Sequence, residues 1–248
     1  MVAKNDKSLG QHWLKNRAIL DEIADSAVFD GVKHCIEIGP GLGTLTSSLL
    51  KRFDKVTAVE FDQRLAENLP KSFPGKNLEV VNADFLKYDL DSVEGPYVVA
   101  GNIPYYITSP IIEKILKSKN QPKKIVLLIQ KEVAERILDK KETMLSLMVK
   151  NYAVAEPGLV VPRDEFTPPP KVDSQVIILI PHAPVVDDEV FKVIRLGFIA
   201  PRKKAIHNLA ALKSEVEIRR IFNEIGIDEN ARPGDILLEK WAEILHKL

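Results

Sequence analysis

The chain has 248 residues, of which 45% are apolar and 28% charged, and its formal net charge is zero; this composition is ordinary for a globular protein with one large domain and a small second one. A single cysteine, Cys35, excludes an internal disulfide and a cysteine-rich zinc cluster. No apolar run approaches the roughly 18 residues of a membrane span, and no secretory signal is visible. We therefore expect a cytoplasmic protein with no membrane partner and no metal.

The zero net charge conceals an uneven distribution. Residues 1–20 carry four Lys or Arg against one acid, and residues 111–150 carry ten against five. Residues 54–95 carry nine acids against five bases. A neutral protein can therefore still present a basic face to a nucleic acid, and the pattern permits such a partner without requiring it.

The predicted elements begin with a helix over residues 16–28, where apolar side chains recur at helical spacing. Short apolar runs typical of buried parallel strands follow, at residues 35–38, 56–59, 78–81, 97–100 and 125–129. Helix-compatible stretches lie between them, at residues 44–53, 64–69, 109–116 and 132–138. This alternation predicts a doubly wound α/β domain, in which helices cover both faces of a parallel sheet.

The pattern changes towards the C-terminus. A helix at 143–152 is followed by predicted strands at 158–161 and 172–180, which flank a proline-rich segment, 166–171, expected to be an extended loop. Beyond His182-Ala183-Pro184 every pattern is helical. We therefore predict a first domain over residues 1–183 and a small all-helical domain over residues 184–248.

Chemistry-bearing residues follow successive predicted strands. Gly39 and Gly41 come directly after the first strand, where glycines let the backbone turn tightly and approach a ligand. Glu60 ends the second strand, where an acid reaches a ribose diol. Asp84 follows the third strand, where it can accept from an adenine amine. Together they predict a pocket for an adenosine-containing cofactor.

NAD and S-adenosyl-L-methionine are the two candidate cofactors. A pyrophosphate binds the helix N-terminus of a Gly-x-Gly-x-x-Gly loop, whereas this chain has Gly-x-Gly-x-Gly with Pro40 between the first two glycines. Glu37 adds negative charge that disfavours a pyrophosphate but can bind an aminoacyl ammonium. These features favour S-adenosyl-L-methionine, with NAD as the alternative.

The tetrapeptide Asn102-Ile103-Pro104-Tyr105 follows the fourth strand. The side-chain carbonyl of Asn102 and the backbone carbonyl of Ile103 can accept both hydrogens of an exocyclic amine, which aims the nitrogen lone pair at an electrophile. Tyr105 can stack on the base, since every base presents a π-face. The tetrapeptide therefore predicts adenine N6 methylation; the alternative is an ordinary strand-to-turn corner.

The ordered motifs resemble the small-subunit ribosomal RNA adenine N6,N6-dimethyltransferases over nearly the whole chain. The resemblance lies in residues 7–14, 37–46, 59–62, 82–85, 101–106, 130–134, 166–174, 202–204 and 208–209. It implies a Rossmann-like methyltransferase domain that uses S-adenosyl-L-methionine. It also implies that two adjacent adenosines near the 3′ end of small-subunit RNA are dimethylated during ribosome biogenesis. A monomer is the plain expectation.

The resemblance also implies roles for individual residues. The cofactor site is lined by His12, Leu14, Gly39, Gly41, Glu60, Asp84 and Asn102. Asn102 also faces the target amine, and Phe166 stacks on the target base opposite Tyr105. RNA contacts are expected from Lys131, Arg202, Lys203 and Lys204. Two residues depart from the family pattern, because Trp13 and His12 stand where phenylalanine and asparagine are common.

Three alternatives remain at this point. A macrolide-resistance methyltransferase, acting on large-subunit RNA, shares the tetrapeptide chemistry, but the Gly41–Thr44 loop and the proline-rich segment favour the small-subunit branch. A DNA adenine methyltransferase shares only the tetrapeptide, and no target-reading domain is visible. A binding protein that acts as a ribosome-assembly checkpoint would not need the intact set of Glu60, Asp84, Asn102 and Tyr105.

Overall fold

The computed structural model describes residues 12–248, which form a seven-stranded sheet, a two-stranded sheet and the surrounding helices. The strands are β1 Trp13–Leu14, β2 His34–Ile38, β3 Lys55–Glu60, β4 Leu78–Asn82, β5 Tyr97–Asn102, β6 Ile125–Gln130, β7 Ala153–Val161, β8 Phe166–Thr167 and β9 Ser174–Pro181. The helices are α1 Arg17–Ala27, α2 Thr44–Leu49, α3 Gln63–Asn68, α4 Thr108–Lys117, α5 Lys131–Leu138, α6 Met144–Tyr152, α7 Asp188–Gly197, α8 Ala205–Leu209, α9 Glu215–Glu224 and α10 Leu238–Lys247.

The large sheet has the order β4-β3-β2-β5-β6-β9-β7. The pairs from β4 to β6 are parallel, and β9 is antiparallel to β6. The chain order reverses beside β2, and ligands bind at such a switch point, in the crevice outside the carboxyl ends of the strands. This architecture confirms the predicted doubly wound α/β class.

Burial explains why these segments form strands and helices. The apolar residues of β5 and β6 are at most 1% exposed, as expected of central strands covered on both faces. Helix α1 buries Leu20 and Ile23 and is capped by Asn16, whose side chain accepts hydrogen bonds from two backbone N–H groups. Helices are short, and within residues 12–248 none is long and apolar enough to cross a membrane.

Several predicted boundaries differ from the structure. Helix α2 ends at Leu49 rather than residue 53, and β7 begins at Ala153 rather than residue 158. The proline-rich segment is not wholly a loop, because β8 pairs antiparallel with β1 and sets Phe166 opposite Leu14. This pairing joins segments about 150 residues apart, so no local pattern predicts it.

The described chain divides into two compact units. The first comprises the residues up to 134 together with 154–181, and the second comprises 135–153 and 182–248. Each has its own apolar core, and Phe191, Phe222 and Trp241 lie at the centre of the second. The predicted boundary near residue 183 lies beside one junction between the units. Residues 135–153, which that boundary assigns to the first domain, pack with the second unit.

Candidate active site

A cavity of about 290 Å³ lies at the carboxyl ends of β2, β3 and β5. Gly39 and Gly41 reach it from the turn after β2, and Glu60 from the end of β3. Asp84 reaches it from the turn after β4, and Asn102 from the end of β5. These strand ends meet because parallel strands direct their carboxyl ends to one edge of the sheet.

The glycine loop needs residues without a side chain. Gly39 and Gly41 have φ angles of 61° and 57°, in the left-handed region that favours glycine. A Cβ atom on Gly41 would lie 2.2 Å from the ring of Trp13. Trp13 therefore packs directly over the loop, and only glycine at position 41 leaves room for it.

Glu60 ties the glycine loop to β3. Its Oε2 accepts a hydrogen bond from the backbone N–H of Gly41 at 3.0 Å, and its Oε1 accepts one from the N–H of Asp62 at 2.8 Å. The residue is 6% exposed, and burial raises the pKa of its carboxyl group. The two N–H donors orient this carboxylate.

Glu37 is a second buried acid at the base of the cavity. It is 1% exposed, and its Oε2 accepts a hydrogen bond of 2.6 Å from the hydroxyl of Thr46. Burial raises the pKa of Glu37 to about 8. A cation bound beside it would favour the ionised form.

Asp84 is held by one oxygen. Its Oδ1 accepts from the backbone N–H of Leu86 at 2.9 Å, at the start of a short 3₁₀ turn, Phe85–Lys87. No donor in the described part of the chain contacts its Oδ2. The second oxygen is thus available to an amine in the cavity.

Asn102 is oriented by its amide nitrogen. Its Nδ2 donates a 3.1 Å hydrogen bond to the backbone carbonyl of His12, and the side chain is half-buried. Among residues 12–248 nothing donates to its Oδ1. An acceptor of fixed orientation therefore lies on the wall of the cavity.

Tyr105 is held at two points. Its hydroxyl is hydrogen-bonded to the Oγ of Ser174 at 2.7 Å, and burial raises its pKa, so the phenol stays protonated at neutral pH. The ring of His12 stacks on it, with centroids 6.1 Å apart and planes at 19°. His12 is itself anchored, because its Nδ1 lies 2.7 Å from the carbonyl oxygen of Pro168, which can only accept.

The sequence of this chain matches one known protein family over almost its whole length. The family model described as ribosomal RNA adenine dimethylase matches residues 2–248. The chain belongs to the ribosomal RNA adenine dimethylase family. The ribosomal RNA small subunit methyltransferase A of Bacillus thuringiensis is 39% identical over 269 residues, which cover 98% of this chain and 92% of that protein. The predicted resemblance is confirmed.

Two solved structures have the same fold over almost their whole lengths. A dimethyladenosine transferase from Plasmodium falciparum has a TM-score of 0.77 and 28% identity, over 95% of this chain and 97% of that one. The 23S rRNA methyltransferase ErmE has a TM-score of 0.76 and 27% identity, over 95% and 99%. The Rossmann-like fold predicted from sequence is thereby confirmed.

The structure brings most of the predicted site residues of this family member together. Eight of the predicted site residues line this cavity, namely His12, Leu14, Gly39, Gly41, Glu60, Asp84, Asn102 and Tyr105. Phe166 does not line it; its side chain is 3% exposed and belongs to the core of the first unit. Its stacking on a target base stays a prediction, one that requires the ring to leave that core.

None of the four residues predicted to contact RNA is among those that line the cavity. Lys131 begins α5, and its backbone N–H donates to Asp173. Arg202, Lys203 and Lys204 are exposed residues before α8 in the second unit. The predicted motif residues 7–11 lie outside the described residues.

Sequence reasoning missed some contacts of the site. Ser174 lies in the motif segment 166–174, but nothing in the pattern indicates that it bonds Tyr105, 69 residues away. Phe61 lines the cavity and is 64% exposed, and its position directly after Glu60 was the available signal. Within residues 12–248 no group of His, Cys, Asp or Glu could hold a metal ion.

Proposed function

We propose that this protein transfers methyl groups from S-adenosyl-L-methionine to the N6 atoms of adenosines in small-subunit ribosomal RNA. Family membership gives the reaction class, dimethylation of adenine in ribosomal RNA. The observation that supports the proposal is the open Oδ1 of Asn102 in the same cavity as the glycine loop, Glu60 and Asp84.

The residues present fit S-adenosyl-L-methionine. The oriented carboxylate of Glu60 would hold the ribose hydroxyls, and the open Oδ2 of Asp84 would accept from the adenine amine. Glu37 would face the aminoacyl ammonium, because a buried acid is favourable beside a cation. Bound there, the cofactor supplies an electrophilic methyl group on a sulfonium.

The chain's own residues act mainly by positioning. Asn102 Oδ1 accepts one hydrogen of the target amine, and Tyr105 stacks on the target base with its ring held by Ser174 and His12. Holding the reacting atoms in line supplies most of the catalysis. No general base is needed, since the methylated amine is strongly acidic and releases its proton to water. The base must leave its stack, so the substrate is looped or flipped RNA.

The small-subunit branch is favoured by the sequence relatives. Small subunit methyltransferases are 36–39% identical to this chain, whereas ErmE is 27% identical. ErmE is a 23S rRNA methyltransferase whose structure is similar to this one, with a TM-score of 0.76. Large-subunit RNA is therefore the second candidate substrate. We expect the protein to act as a cytoplasmic monomer on the assembling small subunit.

Mass spectrometry of RNA nucleosides tests the proposal. Purified protein and S-adenosyl-L-methionine are incubated with unmethylated small subunits, and large-subunit RNA serves as the control. We expect N6,N6-dimethyladenosine only in the small-subunit sample. The same product only in large-subunit RNA would transfer the assignment to that branch, and no product in either would contradict a methyltransferase.

We also propose that residues 184–248 form an RNA-binding domain, with which residues 135–153 pack, and that the rest of residues 1–183 form the methyltransferase domain. Arg202 and Lys203 are exposed, and Lys204 Nζ bonds Asn230 at 2.6 Å. Basic side chains of this kind contact phosphates, which position RNA rather than specify its sequence. Lys131 would add a contact from the first unit.

Salt dependence tests the basic cluster. Changing Arg202, Lys203 and Lys204 together to Ala should reduce the slope of log affinity against log salt by about 2. The matched control is the triple Ala variant of Lys192, Arg220 and Lys247, which removes three cations that pair with glutamates in the same unit. Equal slopes for the two variants would exclude the cluster as a phosphate site.

A further inference from the structure

Tyr106 is an exposed aromatic residue at the rim of the active-site cavity. Its side chain is 65% exposed although it lines the same cavity as Asn102. Among the described residues no hydrogen bond or ring contact involves it. A large ring that lies at a functional cavity and is 65% exposed is available to a ligand.

Three other aromatic residues of the cavity lining, Tyr105, Phe85 and Trp13, have contacts within the chain. Tyr105 is bonded to Ser174 and stacked on His12. Phe85 is 5% exposed and stacks on Tyr88. Trp13 packs over the glycine loop. Only two aromatic rings of the lining remain largely exposed in the described chain, namely those of Phe61 and Tyr106.

Phe61 and Tyr106 belong to different parts of the cavity. Phe61 lies between Glu60 and Asp62, which are hydrogen-bonded to each other at the proposed ribose site. Tyr106 follows Tyr105, the residue proposed to stack on the target base. The exposed ring on the RNA side is therefore that of Tyr106.

The backbone gives Tyr106 a defined position. It is the central residue of the 3₁₀ turn Tyr105–Ile107, where the N–H of Ile107 donates to the carbonyl of Pro104 at 3.2 Å. Helix α4 begins directly afterwards at Thr108. The Cα atom of Tyr106 is one peptide, about 3.8 Å, from the Cα atom of Tyr105. A ring at this distance can reach the nucleotide that is joined to the target adenosine.

We propose that Tyr106 is a stacking platform for the nucleotide that flanks the target adenosine. This subsite rests on the proposed function, because it takes RNA as the occupant of the cavity. Extruded bases lose their stacking partners in RNA, and aromatic side chains replace them. Stacking on Tyr106 holds the flanking nucleotide at the rim while the target amine lies at Asn102.

Steady-state kinetics on unmethylated small subunits give the first test. Tyr106→Ala should lower kcat/KM for RNA roughly 5- to 150-fold, the usual cost of losing one stacked base. Tyr106→Phe should stay within about twofold of the wild type, since it keeps the ring. Tyr106→Leu should behave like Ala, because it keeps apolar bulk without a π-face. An Ala variant with unchanged kcat/KM would overturn the proposal.

A fluorescence assay tests stacking without catalysis. Short single-stranded RNAs carry 2-aminopurine directly 5′ or directly 3′ of one adenosine, and stacking quenches its emission. Saturating wild-type protein and Tyr106→Phe should quench one of the two RNAs, and Tyr106→Ala should not. Phe61→Ala is the matched control of equal exposure, and we expect it to keep the quenching and to weaken S-adenosyl-L-methionine binding instead.

The two assays separate failure of the subsite from failure of the proposed function. If the wild type forms no N6,N6-dimethyladenosine on any RNA, the proposed function fails. The fluorescence assay then decides by itself whether Tyr106 stacks on a base. If the wild type is active and quenches neither RNA, the subsite is overturned while the function stands. Melting temperatures within a few degrees would show that the Tyr106 variants fold.

Discussion

The two sides of the cavity differ in the chemistry of the side chains that line them. On one side lie three carboxyl groups, Glu37, Glu60 and Asp84, each held by at least one hydrogen bond within the chain. On the other side lie neutral groups, the amide of Asn102 and the rings of Tyr105 and Tyr106.

The difference matches the two proposed ligands. S-adenosyl-L-methionine carries positive charge on its sulfonium and ammonium groups, so oriented acids attract it. An adenine base is neutral, so shape, stacking and one well-placed acceptor select it. We therefore infer that charge attracts the cofactor on one side of the cavity. On the other side, shape and stacking select the adenine base.

Loss of Asn102 should have the largest effect. Asn102→Ala removes the open acceptor, and we expect methylation to fall by on the order of 10²–10³-fold or more, while cofactor affinity stays within about tenfold because the acids are intact. Single-turnover methylation and calorimetry with S-adenosyl-L-methionine measure the two quantities. Asn68→Ala is the control, since Asn68 also donates to a backbone carbonyl but lies on α3. An active Asn102→Ala variant would refute the assigned role.

The reverse pattern is expected for Glu60. Glu60→Gln turns one accepting oxygen into a donor that faces the N–H of Gly41 or Asp62. Losing one hydrogen bond to a charged group should weaken S-adenosyl-L-methionine binding roughly 10- to 100-fold. Glu67→Gln changes an exposed glutamate on α3 and should leave binding unaltered. If both variants bind the cofactor equally, the cofactor side does not depend on that carboxylate.

Glu37 should make stability depend on pH. Its pKa is about 8 in the folded protein against 4.5 for a free glutamate, so the folded state holds the proton more tightly. That contribution to stability is complete below pH 4.5 and is lost as pH rises through 8.

Glu37→Gln cannot titrate, so it should gain stability relative to the wild type as pH rises, by at most about 1.4 kcal/mol per pH unit. Urea unfolding without cofactor at several values between about pH 5 and 9 measures this difference. A difference that does not change with pH would mean that Glu37 is already ionised in the folded protein.

The smallest effect is expected at His12, which contacts both Asn102 and Tyr105. His12→Asn keeps the backbone carbonyl that accepts from Asn102 but removes the ring that stacks on Tyr105. An aromatic pair of this kind is worth about 0.5–1.5 kcal/mol, so kcat/KM for RNA should fall roughly 2- to 10-fold. His246→Asn, which removes another ring bonded to a backbone carbonyl, is the control. A change confined to cofactor affinity would place His12 on the cofactor side.

Much of the site could be predicted because it follows strand ends. Gly39, Glu60, Asp84 and Asn102 each lie at the end of a strand or within two residues of it, and parallel strands carry such residues to one edge. Contacts between distant segments could not be predicted. The bond between Tyr105 and Ser174 and the pairing of β1 with β8 depend on the folded chain.

The sequence by itself determined the class of sheet, the family and most of the predicted residues at the cavity, because strand periodicity and motif order can be read along the chain. Only the tertiary structure decided which of those side chains are free to meet a ligand. It buries Phe166 opposite Leu14 and leaves Tyr106 exposed at the rim. Burial and hydrogen-bond partners depend on segments far apart along the chain, so they exist only once those segments have packed together.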